Sequence, residues 1–216
     1  MNDHGANEVH KDNDEALPIG TTPIRFRPKQ TIIARVLRVF VEEFGALDLR
    51  LTIANLLLIF LPDYRFSRLR TAIYRLAGVQ IGPHSLIAGR IEFIGGGRFR
   101  KRLRIGAHTY VNAHLCIDLH AEIDIGDDVS IGHHVTLITT GHDLGPACRR
   151  AGAMRPQPIT VADGCWLGAG TTILPGCSLG ASSVVATGSV VNGVIPPNKM
   201  LAGVPARVVR SLPVDN

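Results

Sequence analysis

The sequence has few aromatic residues, no paired cysteines and no long apolar run. Aromatic residues make up 5% of the 216 positions, and no recognised DNA- or RNA-binding motif accompanies the net charge of +5. Nucleic-acid recognition is therefore disfavoured. None of the four cysteines lies in a CxxC pair, which argues against a zinc knuckle. The longest apolar run, residues 51–61, is ended by Pro62 and falls short of the ~20 residues that span a bilayer.

The first thirty residues resemble neither a signal peptide nor a folded segment. They are polar and mixed in charge, with no apolar stretch, so we interpret residues 1–30 as a disordered tail. We expect a cytoplasmic protein with free thiols. Basic residues concentrate at 65–75 and 98–104. A solvated face, a phosphate-bearing ligand or an anionic membrane surface would each explain them.

Beyond residue 80, large apolar residues recur every six positions. The series is Ile81, Ile87, Phe93, Phe99, Ile105, Val111, Ile117 and Ile123, then, after a shift of two, Ile125, Ile131 and Leu137, and finally Val161, Leu167, Ile173, Leu179, Val185 and Val191. A helix has no such period, whereas short strands joined by tight turns do. Inward-pointing residues of this kind, here called anchors, would stack as coils pile up at ~4.8 Å. The pattern predicts a parallel β-helix.

Small residues often follow the anchors, for example Gly82, Gly106 and Gly132. We interpret them as turn positions that need unusual backbone angles.

Residues 31–78 lack the six-residue period and have the pattern of helices. Helices are predicted over about 32–44, 48–61 and 66–77. In the third, Leu69, Ile73 and Leu76 are expected on one face, with Gly78 as C-cap. We favour a helical cap over the open end of the solenoid. Peripheral contact of 31–78 with a membrane is the alternative, because the basic third helix follows an apolar second helix.

The repeat stops at His142 and resumes near Ile159. Between them lies a polar loop, residues 143–158, that contains three prolines and two glycines. A loop that leaves a rigid coil can be placed accurately. An interruption of this kind in so regular a repeat favours a role in function or assembly.

Four segments carry a resemblance to a known family: "NAHLCID" (112–118), "IDIGDDVSIGHHVTLITTGHD" (123–143), "PITVADGCWLGAGTTILPGCSLG" (158–180) and "IPPNKMLAGVPARVVR" (195–210). The chain resembles the maltose-, galactoside- and nodulation-type O-acetyltransferases of the hexapeptide-repeat family, and most of all those of exopolysaccharide and lipopolysaccharide gene clusters. The resemblance implies a mainly β fold, a left-handed parallel β-helix over residues 79–210, followed by a tail at 211–216.

In that family the histidine before the loop is the general base, which implies this role for His142. Imidazole has a pKa near neutrality and can take the proton of a sugar hydroxyl as its oxygen attacks a thioester. The resemblance implies that Asn112 holds the acceptor or the developing oxyanion, with Tyr110 as a further acceptor contact. His120 stands where galactoside-type enzymes have an acceptor-binding Asp, so Asp118 is a candidate for that contact.

The resemblance also implies acetyl-CoA as donor and a homotrimer. The candidate donor contacts are Trp166, Gly168, Ala169, Thr187, Lys199, Arg207 and Arg210. The Thr-Lys pair of the family is Asn192–Gly193 here, so one cationic contact is missing. Residues 31–78 do not resemble the acceptor motif of maltose-type enzymes. We therefore expect a polysaccharide precursor or a lipid-linked sugar as acceptor.

Two other functions are open to the same fold. One is a metal enzyme of the γ-carbonic anhydrase type. His108, His114 and His120 lie six apart, so they point from successive faces and diverge, and no two histidines between residues 84 and 142 are five apart. No metal is expected. The other is a scaffold without catalysis, which would need neither His142 nor Arg207 and Arg210.

Overall fold

The computed structural model describes residue 31, residues 48–95 and residues 99–214. The helices are α1 (Leu49–Leu58), α2 (Ser67–Leu76) and the short α3 (Phe99–Arg102). The strands are β1 (Gln80–Ile81), β2 (Leu86–Ile87), β3 (Glu92–Ile94), β4 (Leu103–Ile105), β5 (Tyr110–Val111), β6 (Cys116–Asp118), β7 (Ile123–Ile125), β8 (Ser130–Ile131), β9 (Thr136–Leu137), β10 (Thr140–Leu144), β11 (Ala151–Pro156), β12 (Ile159–Val161), β13 (Trp166–Leu167), β14 (Thr172–Ile173), β15 (Ser178–Leu179), β16 (Val184–Val185), β17 (Val190–Val191), β18 (Val194–Ile195), β19 (Lys199–Gly203) and β20 (Ala206–Ser211).

The solenoid strands form three sheets, which are the faces of a prism. The first face runs β1-β4-β7-β12-β15-β18, the second β2-β5-β8-β13-β16-β19-β20, and the third β3-β6-β9-β14-β17. Successive strands of the chain lie on successive faces, and every pairing on these faces is parallel except β19 with β20. The predicted parallel β-helix, of about six coils, is confirmed.

The predicted anchors form the core of the solenoid. On the first face Ile105, Ile125, Val161 and Leu179 lie directly above one another and are at most 1% exposed. Ile81 and Phe93 in the first coil are only partly buried against this core. The backbone of Phe99 departs from the predicted pattern, because it lies in α3 and not in a strand. From Phe93 to Ile105 is two periods, but the first coil needs only one step to reach β4, and α3 lies within the surplus.

The small residues after the anchors serve close packing of the coils. Gly106 does not have positive φ; instead, a Cβ there would collide with the backbone of Gly126 in the next coil. Positive φ falls two residues later, for example at His108 (54°) and His134 (57°). The prediction that these glycines serve unusual backbone angles is therefore wrong.

The helices cap the first coil, as expected. α1 begins after Asp48, whose side chain accepts a hydrogen bond from Leu51 N at 3.3 Å, and it ends at Leu58, before Pro62. α2 ends before Gly78, which has a φ of 95°. The helix predicted over 32–44 lies outside the described residues. Among the residues described, no helix is long and apolar enough to cross a membrane.

The buried face of α2 differs from the predicted one. Leu69 and Leu76 are 50% and 82% exposed, whereas Arg70, Thr71 and Tyr74 are buried. The reason is that the first coil has an open edge of backbone groups that need partners. Ile87 N donates to Thr71 Oγ1 at 3.0 Å and Ile91 N donates to Tyr74 Oη at 2.9 Å.

Arg70 connects the cap to the solenoid most extensively. Its guanidinium donates to five backbone carbonyls, those of Leu61, Pro62, Arg65, Ile87 and Ala88. The side chain is fully buried, and its Nη1 and Nη2 atoms both donate to backbone carbonyls. A polar helix face therefore seals the end of an apolar solenoid.

Candidate active site

The interruption after β9 is a β-hairpin that projects from the solenoid. β10 and β11 pair antiparallel, with Thr140 opposite Pro156 and His142 opposite Met154. Gln157 N donates to Thr139 O at 2.8 Å and closes the neck of the hairpin. β12 then continues the first face above β7, with Ile159 opposite Ile123. Half of the segment predicted as a loop at 143–158 is strand, and the excursion begins at Thr140.

His142 lies on β10, exposed to solvent. Its Nδ1 is 3.1 Å from the carbonyl oxygen of Gly152 on the opposite strand. A carbonyl only accepts, so Nδ1 is the protonated nitrogen in this hydrogen bond. In the neutral imidazole the lone pair is then on Nε2. This arrangement leaves Nε2 able to accept a proton from a ligand.

The hairpin is attached at its root to Asp118, at the end of β6. Asp118 is 6% exposed; its Oδ2 accepts from Thr140 N at 2.9 Å, and its Oδ1 lies 2.5 Å from His120 Nδ1. Burial alone would raise the pKa of this carboxyl, but the hydrogen bonds from Thr140 and His120 outweigh it and lower the pKa. Both oxygens are thus engaged within the chain. An acceptor contact by Asp118 stays a prediction.

The other acceptor candidates lie near the corner between the second and third faces. Tyr110 is 40% exposed on β5. Asn112 follows β5, is half-buried, and its Oδ1 accepts from Ala113 N at 2.8 Å. Within the described chain no hydrogen bond is recorded from the side-chain amide nitrogen of Asn112, which leaves it free to donate to a ligand.

Trp166, one of the candidate donor contacts, lies in a row of paired residues along the second face. Tyr110, Ser130, Trp166, Val184 and Met200 are paired in register. Trp166 is 57% exposed in the middle of this row.

Gly168 and Ala169 follow Trp166 at the adjacent corner. There a Cβ on Gly168 would lie 2.6 Å from Thr187 N of the next coil. Three of the predicted donor residues, Gly168, Ala169 and Thr187, therefore lie together at one closely packed edge.

Arg207 and Arg210 extend this row through a register shift in the C-terminal hairpin. Arg207 pairs with Ala202, and Arg210 pairs with Met200, because a bulge intervenes between Met200 and Leu201. Residues three apart in a regular strand would point to opposite faces, but the extra residue brings both arginines to the same face.

Lys199 pairs with Ser211 on the other face, where its Nζ lies 2.8 Å from Ser211 Oγ. The structure thus separates Lys199 from the two arginines.

His142 and Asn112 lie at opposite edges of the third face. Asn112 precedes β6 and the hairpin follows β9, so a whole face of about six residues, or roughly 20 Å, separates their positions. The single chain does not bring the predicted base and the predicted acceptor residue together. A site that uses both needs a second copy of the chain.

The histidines diverge as their spacing predicted. His108 stacks on His84 with ring centroids 4.9 Å apart, and His114 stacks on His134 at 4.6 Å, whereas His120 contacts Asp118. Across the described residues, no group of three or more His, Cys, Asp or Glu side chains is placed to hold a metal ion.

Known proteins resemble this chain in both sequence and architecture. The sequence matches no protein-family model. It is 40% identical over 114 residues to the galactoside O-acetyltransferase of Escherichia coli K12, a match that covers 53% of this chain and 56% of that protein. The galactoside O-acetyltransferase of Lactococcus lactis is 34% identical over 112 residues, covering 52% of this chain and 54% of that protein. The chain thus spans just over half the length of the curated relatives it matches.

Two solved structures extend the likeness over most of the fold. A hexapeptide-repeat-containing acetyltransferase from Vibrio cholerae, complexed with acetyl-CoA, is 32% identical with a TM-score of 0.68, covering 80% of this chain and 90% of that one. A galactoside acetyltransferase in complex with coenzyme A is 30% identical with a TM-score of 0.67, covering 77% of this chain and 80% of that one.

Three parallel faces and six-residue steps define a parallel β-helix built from hexapeptide repeats, and it matches the left-handed β-helix of the related acetyltransferase structures. The Vibrio cholerae structure combines 32% identity with a match to 80% of this chain, which is sufficient to assign the family. The chain belongs to the hexapeptide-repeat acetyltransferases.

Proposed function

We propose that the protein is an acetyl-CoA-dependent O-acetyltransferase that modifies a hydroxyl of a sugar or polysaccharide precursor, with His142 as general base. The observation that carries the proposal is the hydrogen bond from His142 Nδ1 to Gly152 O at 3.1 Å, which leaves Nε2 as the basic nitrogen. The galactoside O-acetyltransferases among its relatives support the acceptor class.

The chemistry is a direct transfer. His142 Nε2 removes the proton of the acceptor hydroxyl as its oxygen bonds to the acetyl carbonyl carbon. The C–S bond then breaks, and the imidazolium returns its proton to the departing thiolate of coenzyme A. The Asn112 amide is suited to donate a hydrogen bond to the acceptor or to the oxyanion. Tyr110 is a further acceptor contact in this proposal.

The donor lies along the row that begins at Trp166 in this proposal. Gly168, Ala169 and Thr187 form the closely packed edge beside it. Arg210 is three strand spacings from Trp166 in register, or about 14 Å, a separation suited to a pantetheine arm with phosphates at its far end. Guanidinium groups suit those phosphates. The acetyl-CoA and coenzyme A complexes of related structures support this assignment.

We further propose a homotrimer with active sites shared between chains. The separation of His142 from Asn112 across the third face supports it, since the hairpin that carries His142 projects from its own coil. Three flat-faced prisms form a closed ring with cyclic symmetry. The expected location is the cytoplasm. Light scattering that gives a monomeric mass at micromolar concentration would contradict the trimer.

The experiment for the base is steady-state kinetics of His142→Ala. Free thiol release from acetyl-CoA is followed with a panel of free sugars, nucleotide sugars and lipid-linked sugars. We expect kcat to fall roughly 10²–10⁴-fold, the usual contribution of general-base catalysis, with acetyl-CoA affinity by calorimetry unchanged.

The matched control is His133→Ala, which removes an exposed imidazole elsewhere on the solenoid. Full activity of His142→Ala would contradict the assignment. If the wild-type protein does not bind acetyl-CoA, the alternative of a scaffold without catalysis is favoured.

A further inference from the structure

A cavity of about 940 Å³ lies between the helical cap and the third face. α1 and the turn after it form one wall, and β3, β6 and β9 form the other. The cavity begins at the corner that carries Asn112, because His114 lines it two residues later. A ligand group at Asn112 can therefore continue into this space.

The wall on the solenoid side is mainly polar, although Ile91 and Phe93 also line it. His114 lines it with its ring stacked on that of His134, at 4.6 Å between centroids and 8° between planes. His114 Nε2 lies 3.5 Å from Asp63 Oδ2. Glu92 and Thr136 lie beside them on the third face. Imidazole, carboxylate and hydroxyl groups at this density suit the many hydroxyls of a carbohydrate.

The wall on the cap side is mainly apolar and continues out of the cavity. Leu58, Ile59, Leu61 and Pro62 line it, with Asn55 and Asp63 as its polar members. Ile59 is nevertheless 56% exposed, and Phe60 beside it is 80% exposed. A free sugar bound in the polar part of the cavity would make no use of this adjoining apolar surface, because its hydroxyls need polar partners. It suits a ligand whose sugar carries an apolar chain.

We propose that this cavity binds the acceptor, and that the acceptor is an amphipathic glycoside: a sugar that lies against His114 and Thr136, joined to an apolar chain that lies over Ile59. This inference rests on the proposed function, because it assigns the substrate class of the same acetyl transfer. The volume is also larger than one sugar ring needs, and lies at the upper end of ordinary ligand pockets.

The first test compares acceptors that differ only in the apolar chain. The probes are methyl and octyl β-glycosides of glucose, galactose and N-acetylglucosamine, with the octyl compounds below their micelle concentrations. We expect the KM of at least one octyl glycoside to be tenfold or more below that of its methyl counterpart. Equal KM values within every pair of accepted sugars would overturn the proposal.

The second test measures binding without turnover. Calorimetry follows octyl β-D-galactopyranoside and octyl β-D-glucopyranoside binding to the full chain and to Ile59→Asp, His114→Ala and Leu56→Asp. Leu56 is the matched control, because it is 60% exposed on α1, which ends one residue before Ile59, but does not line the cavity. We expect Ile59→Asp and His114→Ala each to raise Kd tenfold or more, with Leu56→Asp unchanged.

The two tests separate the failures. Equal weakening by Ile59→Asp and Leu56→Asp means that the detergent-like chain binds the whole helix surface, and the cavity proposal is wrong. An absence of binding to the wild-type protein also overturns it. Selective binding without acetyl transfer to any probe leaves the cavity as a glycoside site and contradicts the proposed function instead.

Discussion

Asp118 Oδ2 accepts a hydrogen bond from Thr140 N at 2.9 Å, two residues before His142 in the chain. The same carboxylate is also in contact with His120, whose side chain is 30% exposed. A residue of the second coil thus fixes the direction in which the hairpin leaves the third coil. We expect the position of His142 to depend on a side chain that does not need to touch either substrate.

The first prediction concerns this dependence. Asp118→Ala should lower kcat about tenfold or more while the KM for acetyl-CoA changes little, because the proposed base would be misplaced and the proposed donor row is distant. Asp118→Asn keeps a carbonyl oxygen for Thr140 N and should recover part of the activity.

Asp124→Ala is the control for the first prediction, since Asp124 is an exposed carboxylate paired with Arg104 at 2.5 Å. Equal loss of kcat in the Asp118→Ala and Asp118→Asn enzymes would mean that the carboxylate charge, and not the contact with Thr140, is needed.

A second prediction follows from the lowered pKa of Asp118. A carboxyl whose pKa is lower in the folded state stabilises the protein above its unfolded pKa of about 4, and this contribution is lost as pH falls through the folded pKa. Asp118→Asn should therefore have a lower Tm than the wild-type protein at pH 7, and the difference should shrink below about pH 4. Thermal melts at pH 7, 5 and 3.5 measure it. A constant difference across this range would contradict the linkage.

The third prediction tests the shared face of Arg207 and Arg210. Replacing both with Ala should raise the KM for acetyl-CoA about tenfold or more, with little change in kcat, because phosphate contacts bind ground and transition states alike. The loss should shrink with acetyl-pantetheine, which lacks the adenosine phosphates.

Lys199→Ala serves as the matched control for the arginines and should have a smaller effect, since Lys199 points to the other face of the hairpin. Equal losses of the double variant with both donors would assign the arginines a structural role.

The fourth prediction concerns the helical cap. Arg70→Met keeps the length of the side chain but removes the guanidinium donor from five carbonyls, two in the first coil and three in the segment between α1 and α2. We expect it to lower the free energy of unfolding by about 2–4 kcal/mol, measured by urea denaturation. Arg68→Met, at an exposed position of the same helix, should change it by less than about 0.5 kcal/mol. Equal losses of unfolding free energy in the two variants would mean that Arg70 does not stabilise the cap more than an exposed arginine does.

The fifth prediction concerns the thiols. Cys148 is exposed, whereas Cys165 and Cys177 are buried, and burial raises the pKa of Cys177 to about 11. Since the thiolate is the reactive form, Cys148 should react within seconds with an aromatic disulfide at pH 8, and the two buried thiols only on unfolding. Cys148→Ser should abolish the fast phase, because burial also raises the pKa of the half-buried Cys116 thiol and slows its reaction. A fast phase that persists in this variant would place another thiol at the surface.

The sequence predicted the solenoid well because each coil repeats the same physical requirement. One anchor per face must point inward, so Ile105, Ile125 and Val161 could be identified from spacing alone. Phe99 misled this reasoning because its distance from Phe93 preserves the period although the chain leaves the coil. The glycines after the anchors were located correctly but explained wrongly, since close approach of neighbouring backbones cannot be told from an unusual dihedral in a sequence.

Features that depend on partners distant in the chain could not be predicted. The polar face of α2 became the buried one because it meets an open strand edge, and no hydrophobic pattern in the helix reveals that edge. The contact of Asp118 with Thr140 needs the register of two coils. The common face of Arg207 and Arg210 depends on a single bulge. For the predicted donor and base residues the sequence supplied the candidates, and the structure supplied their relative geometry.

The neck formed by Thr139 and Gln157 has a consequence for how such proteins diversify. The two ends of the hairpin are joined by a hydrogen bond from Gln157 N to Thr139 O, and β12 pairs with β7 in regular register. The pairing of the coils on either side therefore does not depend on the length of the segment between them. Each doubling of a flexible loop costs only about 0.6 kcal/mol of closure entropy. The hairpin that carries the predicted base can therefore be lengthened, shortened or replaced during evolution while the solenoid keeps its fold.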